Sequence, residues 1–221
     1  MAEQKGFATA TAALRRAANA EALAPATPDV ALVAAIEQAD PDAASLALRA
    51  GANLEHRDAQ GRTPLLQAVT LDRVDVIRLL VSLGADTNAV DDRQDTPWLV
   101  TGVTGSVPAL EALLPGKPDL TIRNRFGGLS IIPASERGHV DYVRRVVQTG
   151  INVNHVNNLG WTALLEAVIL GDGSERYQEI VRILLDAGAD PNLGDANGVR
   201  ALQHARNRGQ SDVVKILEAA R

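Results

Sequence analysis

The stretch Gly61-Arg62-Thr63-Pro64-Leu65-Leu66-Gln67-Ala68 decides the reading of this chain. Threonine followed by proline starts a helix: the hydroxyl accepts from free backbone N–H groups, and proline suits the first turn, where its missing N–H would have no partner. Leu65 and Ala68 then share one helix face. Further on, Asp75-Val76-Ile77-Arg78-Leu79-Leu80 and Leu83 set a second apolar face at helical spacing. Gly84 ends that helix, because the left-handed conformation that closes a helix costs glycine little. Polar turns from Asp86 onward join one unit to the next. The unit is two short helices with one apolar face that only a neighbouring unit can cover.

Working outward, the unit recurs. Thr63, Thr96, Leu129 and Thr162 follow one another at steps of 33 residues, as do Gly51, Gly84, Lys117 and Gly150. From Gly150 to Gly188 the step is 38, so the fifth unit carries five extra residues around Gly171-Asp172-Gly173. A fixed period of this size marks a solenoid, stabilised by unit terms plus nearest-neighbour terms. The units fall at about 28–57, 58–90, 91–123, 124–156, 157–194 and 195–221, after an Ala-rich segment 1–27 that is either a capping helix or loose. In the sixth unit Arg200, Gln203, His204, Arg206, Asn207 and Arg208 are too polar for a buried stack, as a terminal cap requires.

With Gly61/Thr63-Pro64-Leu65/Ala68, Gly138-His139, Ile183-Leu184-Leu185 and Gly188-Ala189-Asp190-Pro191-Asn192, the sequence resembles the ankyrin-repeat family, and in particular small single-domain bacterial members. The resemblance implies an all-α solenoid of about six helix-turn-helix units, with an insertion in the fifth, and protein binding on a concave face. Two units depart from the pattern. Lys117 stands where glycine closes the second helix, between Pro115 and Pro118, so that helix should end early. Pro133 falls in the first helix of the fourth unit, which should lose a hydrogen bond or bend there. Units three and four are therefore expected to be the least stable part of the stack.

Composition narrows the chemistry. The formal net charge is −5 with a pI of about 5.4, which argues against general nucleic-acid or anionic-membrane binding. The absence of cysteine excludes disulfides and thiolate chemistry. No apolar run has the length of a membrane span. The compartment expected is the cytoplasm, or the periplasm or exterior if Ala17-Ala18-Asn19-Ala20 marks a removed leader. His56, His139, His155 and His204 lack metal-ligand spacing, and no nucleophile elbow or phosphate loop is present. No cofactor, metal or catalytic set is expected, and His139, His56 and His155 read as structural.

The candidate binding residues come from the turn tips and the outer positions of the first helices. Phe126, Leu159, Trp161, Ile169 and Leu170 are apolar where solvent is expected, with Arg93, Arg123, Arg125 and Arg137 nearby and Asp91, Asp92, Asp95 and Glu136 beside them. Aromatic and arginine anchors around an apolar centre are the usual hot-spot pattern. Two readings of Trp161 and Phe126 stay open: groove anchors, or rings folded onto the neighbouring turn. Likewise the arginines either meet a partner or neutralise the aspartates of the preceding turn. Tyr177, in the insertion 171–178, adds a lip to the groove or belongs to a tolerated loop. The expected function is non-catalytic binding of a protein partner by a monomer. The alternatives are a small anionic ligand, or catalysis, at Arg93, Arg125, Arg137, Glu136 and Glu166, where an enclosed pocket of converging guanidiniums would suit a carboxylate or phosphate, and a stabilising role toward another protein.

Overall fold

The computed structural model describes residues 27–220. The N-terminal segment expected to cap the first unit lies outside them as far as residue 26. Among the described residues there are twelve α-helices and no strand, only an isolated bridge between Gly194 and Arg200. The helices form six pairs. The first helices are α1 (Pro28–Glu37), α3 (Pro64–Thr70), α5 (Pro97–Thr104), α7 (Ile131–Arg137), α9 (Ala163–Ile169) and α11 (Ala201–Asn207). The second helices are α2 (Pro41–Arg49), α4 (Val74–Ser82), α6 (Val107–Leu113), α8 (Val140–Val146), α10 (Glu175–Asp186) and α12 (Ser211–Ala219). Each first helix packs on the first helix of the next unit, and each second helix on the next second helix. No helix among the described residues is long and apolar enough to cross a membrane.

The 33-residue spacing becomes columns of buried side chains. Leu32, Leu65, Trp98, Ile131, Leu164 and Leu202 occupy one column, and Leu80, Leu113, Val146, Leu184 and Leu217 another, all buried. Each such side chain contributes roughly 1.5–3 kcal/mol on burial, and part of that contact surface belongs to the neighbouring unit. Thr63, Thr96 and Thr162 cap α3, α5 and α9, each Oγ1 accepting from the backbone N–H three residues on at 3.2 Å.

The fourth unit starts differently, and Pro133 is the reason. In α3 the Gln67 N–H donates to the Thr63 carbonyl at 2.9 Å. Pro133 holds the equivalent position and has no N–H, so the Leu129 carbonyl accepts instead from Ile132 at 3.0 Å. Helix α7 begins one residue later in the unit than α3 and α5 do. The hydrogen bond is lost at the helix mouth rather than mid-helix, which spares the helix a break. The Ser130 carbonyl comes so close to α5 that a Cβ on Gly102 would collide with it.

Helix α6 ends at Leu113 and gives way to a 3₁₀ turn over Leu114–Gly116, with Lys117 itself left-handed at φ 54°. The insertion is more ordered than a loop. Residues 175–178 are helical, so the extra length goes largely into α10, which has 12 residues against 9 in α4.

Candidate functional site

The turn tips are built from one repeated device. Asp58, Asp91, Asn124, Asn157 and Asp195 occupy equivalent positions, and in each the side-chain Oδ1 accepts from the backbone N–H groups two and four residues on, at 2.8–3.0 Å. The same residue's own N–H donates to the carbonyl four residues on, at 3.0–3.1 Å. Such Asx-type bonding substitutes for a turn's missing backbone bonds. It fixes the groups between: Gln60, Arg93, Phe126 and Leu159 near the tips, with Arg62, Asp95, Gly128 and Trp161 closing them.

The first four tips stack in pairs. The Asp92 N–H donates to the Gln60 carbonyl at 3.1 Å, and the Asn158 N–H to the Phe126 carbonyl at 3.0 Å. Glycine admits these approaches: Gly61 (φ 73°) and Gly127 (φ 72°) have no room for a Cβ against Asp92 and Asn158. Gln94 takes the equivalent position in the second tip, left-handed at φ 62°. Among the described residues no backbone bond joins the second tip to the third. An ion pair, Arg125 to Asp95 at 3.6 Å, spans that gap instead.

A cavity of about 480 Å³ lies along these tips and the first helices. Its walls include Phe126, Leu159 and Trp161 from the tips, Leu66, Val100, Ile132 and Leu170 from the helices, and the arginines 62, 93, 125 and 137 with Asp91, Asp95, Glu136 and Glu166. Of the nine candidate residues, Arg93, Arg125, Phe126, Arg137, Leu159, Trp161 and Leu170 line it together. Phe126, Leu159 and Leu170 are 57, 59 and 47% exposed. Trp161 is half-buried and packs partly on the core. Ile169 faces the core and does not line the cavity. Tyr177 does not line it either: it is 6% exposed, and its hydroxyl donates to the Glu136 carbonyl at 2.9 Å, so the side chain props α7 from behind.

The charges are largely engaged with one another. Arg62 pairs with Asp58 at 2.7 Å, and Asp95 draws both Arg125 and, at 4.0 Å, Arg93. Arg125 also lies over the Phe126 ring, 4.3 Å from its centre. Burial and the neighbouring Asp91 hold the Asp95 carboxyl above its ordinary range in spite of the two guanidiniums. His139 and His155 make structural bonds, the first to the Val103 carbonyl of the preceding unit at 3.2 Å and the second to the Gly127 carbonyl of its own unit at 2.6 Å. Among the described residues no group of acidic or histidine side chains could hold a metal ion.

Glu166 stands apart. It is 4% exposed, on α9, at the place where α5 carries Val100 and α7 Pro133. The Asn157 amide donates to its Oε1 at 2.8 Å. Burial, with Glu136 adding like charge, pushes its carboxyl up to about 7. The sequence names Glu166 only within a charged set, since nothing in a single glutamate announces burial. Sequence reasoning also misses the Asx column, although Asp or Asn at a fixed place in five successive units is a signal that the period makes visible.

Stacked helix pairs with tips ranged along one edge define a repeat solenoid. The comparisons with known proteins agree on which one. A family model described as ankyrin repeats (3 copies) matches residues 2–91 and 100–195. Ankyrin repeat protein YahD of Escherichia coli (strain K12) is 38% identical over 187 residues, 84% of this chain and 93% of that protein. The crystal structure of an ankyrin repeat domain from Acinetobacter baumannii AYE superposes with a TM-score of 0.81 at 46% identity, covering 86% of this chain and 96% of that one. The ankyrin repeat domain of Bcl-3, described as a member of the IkappaB protein family, gives 0.77 at 29% identity, covering 87 and 86%. This chain belongs to the ankyrin-repeat family, and its relatives include small bacterial members. Ankyrin repeats are in general protein–protein interaction modules and are typically non-enzymatic.

Proposed function

We propose that this chain is a non-catalytic interaction module that binds a protein partner along the groove of tips and first helices, with Trp161, Phe126, Leu159 and Leu170 as the apolar centre and Arg93, Arg125 and Arg137 around it. The observation that carries the reading is the cavity, where three largely exposed apolar side chains and Trp161 share one concave surface. Exposed apolar groups gathered in one concavity mark interaction sites. The tips are preformed by their Asx bonds, so little ordering cost accompanies binding. The ion pairs around the rim set register and partner choice more than affinity.

The anionic-ligand alternative needs converging, unengaged guanidiniums. Arg62, Arg93 and Arg125 are turned to aspartates instead, and four carboxylates face the four arginines across the cavity. The test is affinity capture from the native host's lysate with the wild-type chain beside a Trp161→Ala/Arg125→Glu variant of verified fold. A protein retained by the wild type alone supports the groove as the site. Equal retention by both moves the site elsewhere, and no specific retention counts against an interaction module.

A further inference from the structure

We propose that the partner's anchor is a cationic side chain, arginine or lysine, that enters the central cavity beside Trp161 and places its charge between Glu136 and Glu166. The proposal rests on the reading of the groove as a partner surface and adds the chemistry of what it takes.

Three observations carry it. The first is charge left over inside the cavity. Arg62 is engaged by Asp58, and Arg93 and Arg125 by Asp95. Among the described residues no cation lies within ion-pair distance of Glu136, Glu166 or Asp91, and Arg137 is the one lining arginine with no carboxylate at that distance. Three carboxylates of the lining, Asp91, Glu136 and Glu166, are thus left without a cation at ion-pair distance.

The second is the placement of Glu166. Its carboxyl is buried on the cavity wall and held by one donor, the Asn157 amide, whose own oxygen is fixed by the Leu159 and Trp161 N–H groups at 3.0 Å each. A buried carboxylate is costly unless it is paired. A carboxyl oriented in advance is a ready acceptor for a guanidinium or ammonium.

The third is the aromatic wall. The Phe126 face is already covered by Arg125. Among the described residues no cation covers Trp161, which is the better ring for one. The aliphatic stem of an arginine or lysine suits Leu159 and Leu170 on the way in.

The other charged groups near Glu166 do not supply the missing cation. From α7, Glu136 adds like charge to the Glu166 carboxyl, and Arg137 stays beyond ion-pair reach. From α11, His204 is turned to Asp195 at 2.9 Å. From the tips, Arg125 is turned to Asp95.

The experiment uses a short random-peptide library displayed on phage and selected on the full chain, with counter-selection on Trp161→Ala. The expected peptides share a basic residue, and replacing it by neutral citrulline or norleucine weakens binding at least about tenfold. Glu166→Gln, which keeps the Asn157 bond and the shape, weakens the same peptide comparably, and Glu136→Gln does so to a lesser degree. Affinity of the wild type rises about tenfold from about pH 6 to about pH 8, as a bound cation favours the ionised carboxyl, and this dependence vanishes in Glu166→Gln. Trp161-dependent peptides with no shared basic residue, or with affinity unmoved by Glu166→Gln, overturn the cation and leave the groove standing. Failure to select any Trp161-dependent peptide overturns both.

Discussion

Glu166 occupies a helix position that units two, three, four and six fill with glutamine, valine, proline and histidine, and its burial has a thermodynamic signature. Its carboxyl is pushed from 4.5 up to about 7 by burial first and Glu136 second. Between those values the folded chain therefore holds a proton that the unfolded chain has released. As far as this group is concerned, stability is highest below about pH 4.5, falls as pH rises toward 7, and stays low above it. The effect is on the order of 3 kcal/mol, since a tenfold change in proton affinity is worth about 1.4 kcal/mol. Glu166→Gln should raise the melting temperature at pH 8 and flatten its pH dependence between about pH 5 and pH 8. Identical melting curves at that upper pH would remove the argument. Gln94 offers a second test. A left-handed conformation costs a non-glycine residue roughly 1–2 kcal/mol, part of which glycine returns as unfolded-chain entropy. Gln94→Gly should stabilise the chain by about 0.5–1 kcal/mol in denaturant titration. At this scale the sequence is legible where side chains act through their own period, as in the Thr63 cap. It is silent on contacts: that Arg125 reaches Asp95 and Phe126 rather than solvent depends on how far apart two tips sit.

Among the elements, the period identifies the helix pairs, and departures from it are legible as departures. Helix α6 does end early, but α8 ends at the equivalent place before Gly150 and passes into the same kind of 3₁₀ turn, so the lysine is not the cause. What Pro133 does is less legible, because the outcome depends on whether the helix can start later. It can, at the expense of the Ser130 carbonyl pressing on α5, and Gly102 is the complement to that shift. Gly102→Ala should cost about 2–3 kcal/mol by overpacking, read as a drop in denaturation midpoint with an unchanged slope. A neutral result would mean that α5 and α7 separate readily. Gly171 and Gly173 give the insertion the look of a loop, yet Ser174-Glu175 opens a helix whose Tyr177 and Ile180 are buried. The signal that would have found it is apolar spacing continuing back through the inserted residues.

For the molecule as a whole, stability is the sum of units and their contacts, so weak links should show locally. Units three and four hold a forfeited helix bond, a shortened helix, a left-handed lysine and a left-handed glutamine. Amide hydrogen exchange should be faster over residues 95–135 than over 162–205. Slowest exchange at 95–135 would show that the buried Trp98 and Tyr142, the latter joined to Thr101 by a 2.8 Å hydroxyl contact, outweigh these defects.

The unbonded step between the second and third tips has a mechanical meaning. Where backbone rungs join tips one to two and three to four, each couple is tied into one jaw. Between the jaws an ion pair spans the gap, and an ion pair tolerates changes of length that a backbone hydrogen bond does not. The gape of the groove can thus vary at this step while the buried Trp98, Leu113, Ile131 and Val146 behind it serve as the hinge pin. A ligand gripped by both jaws would set the curvature of the whole stack.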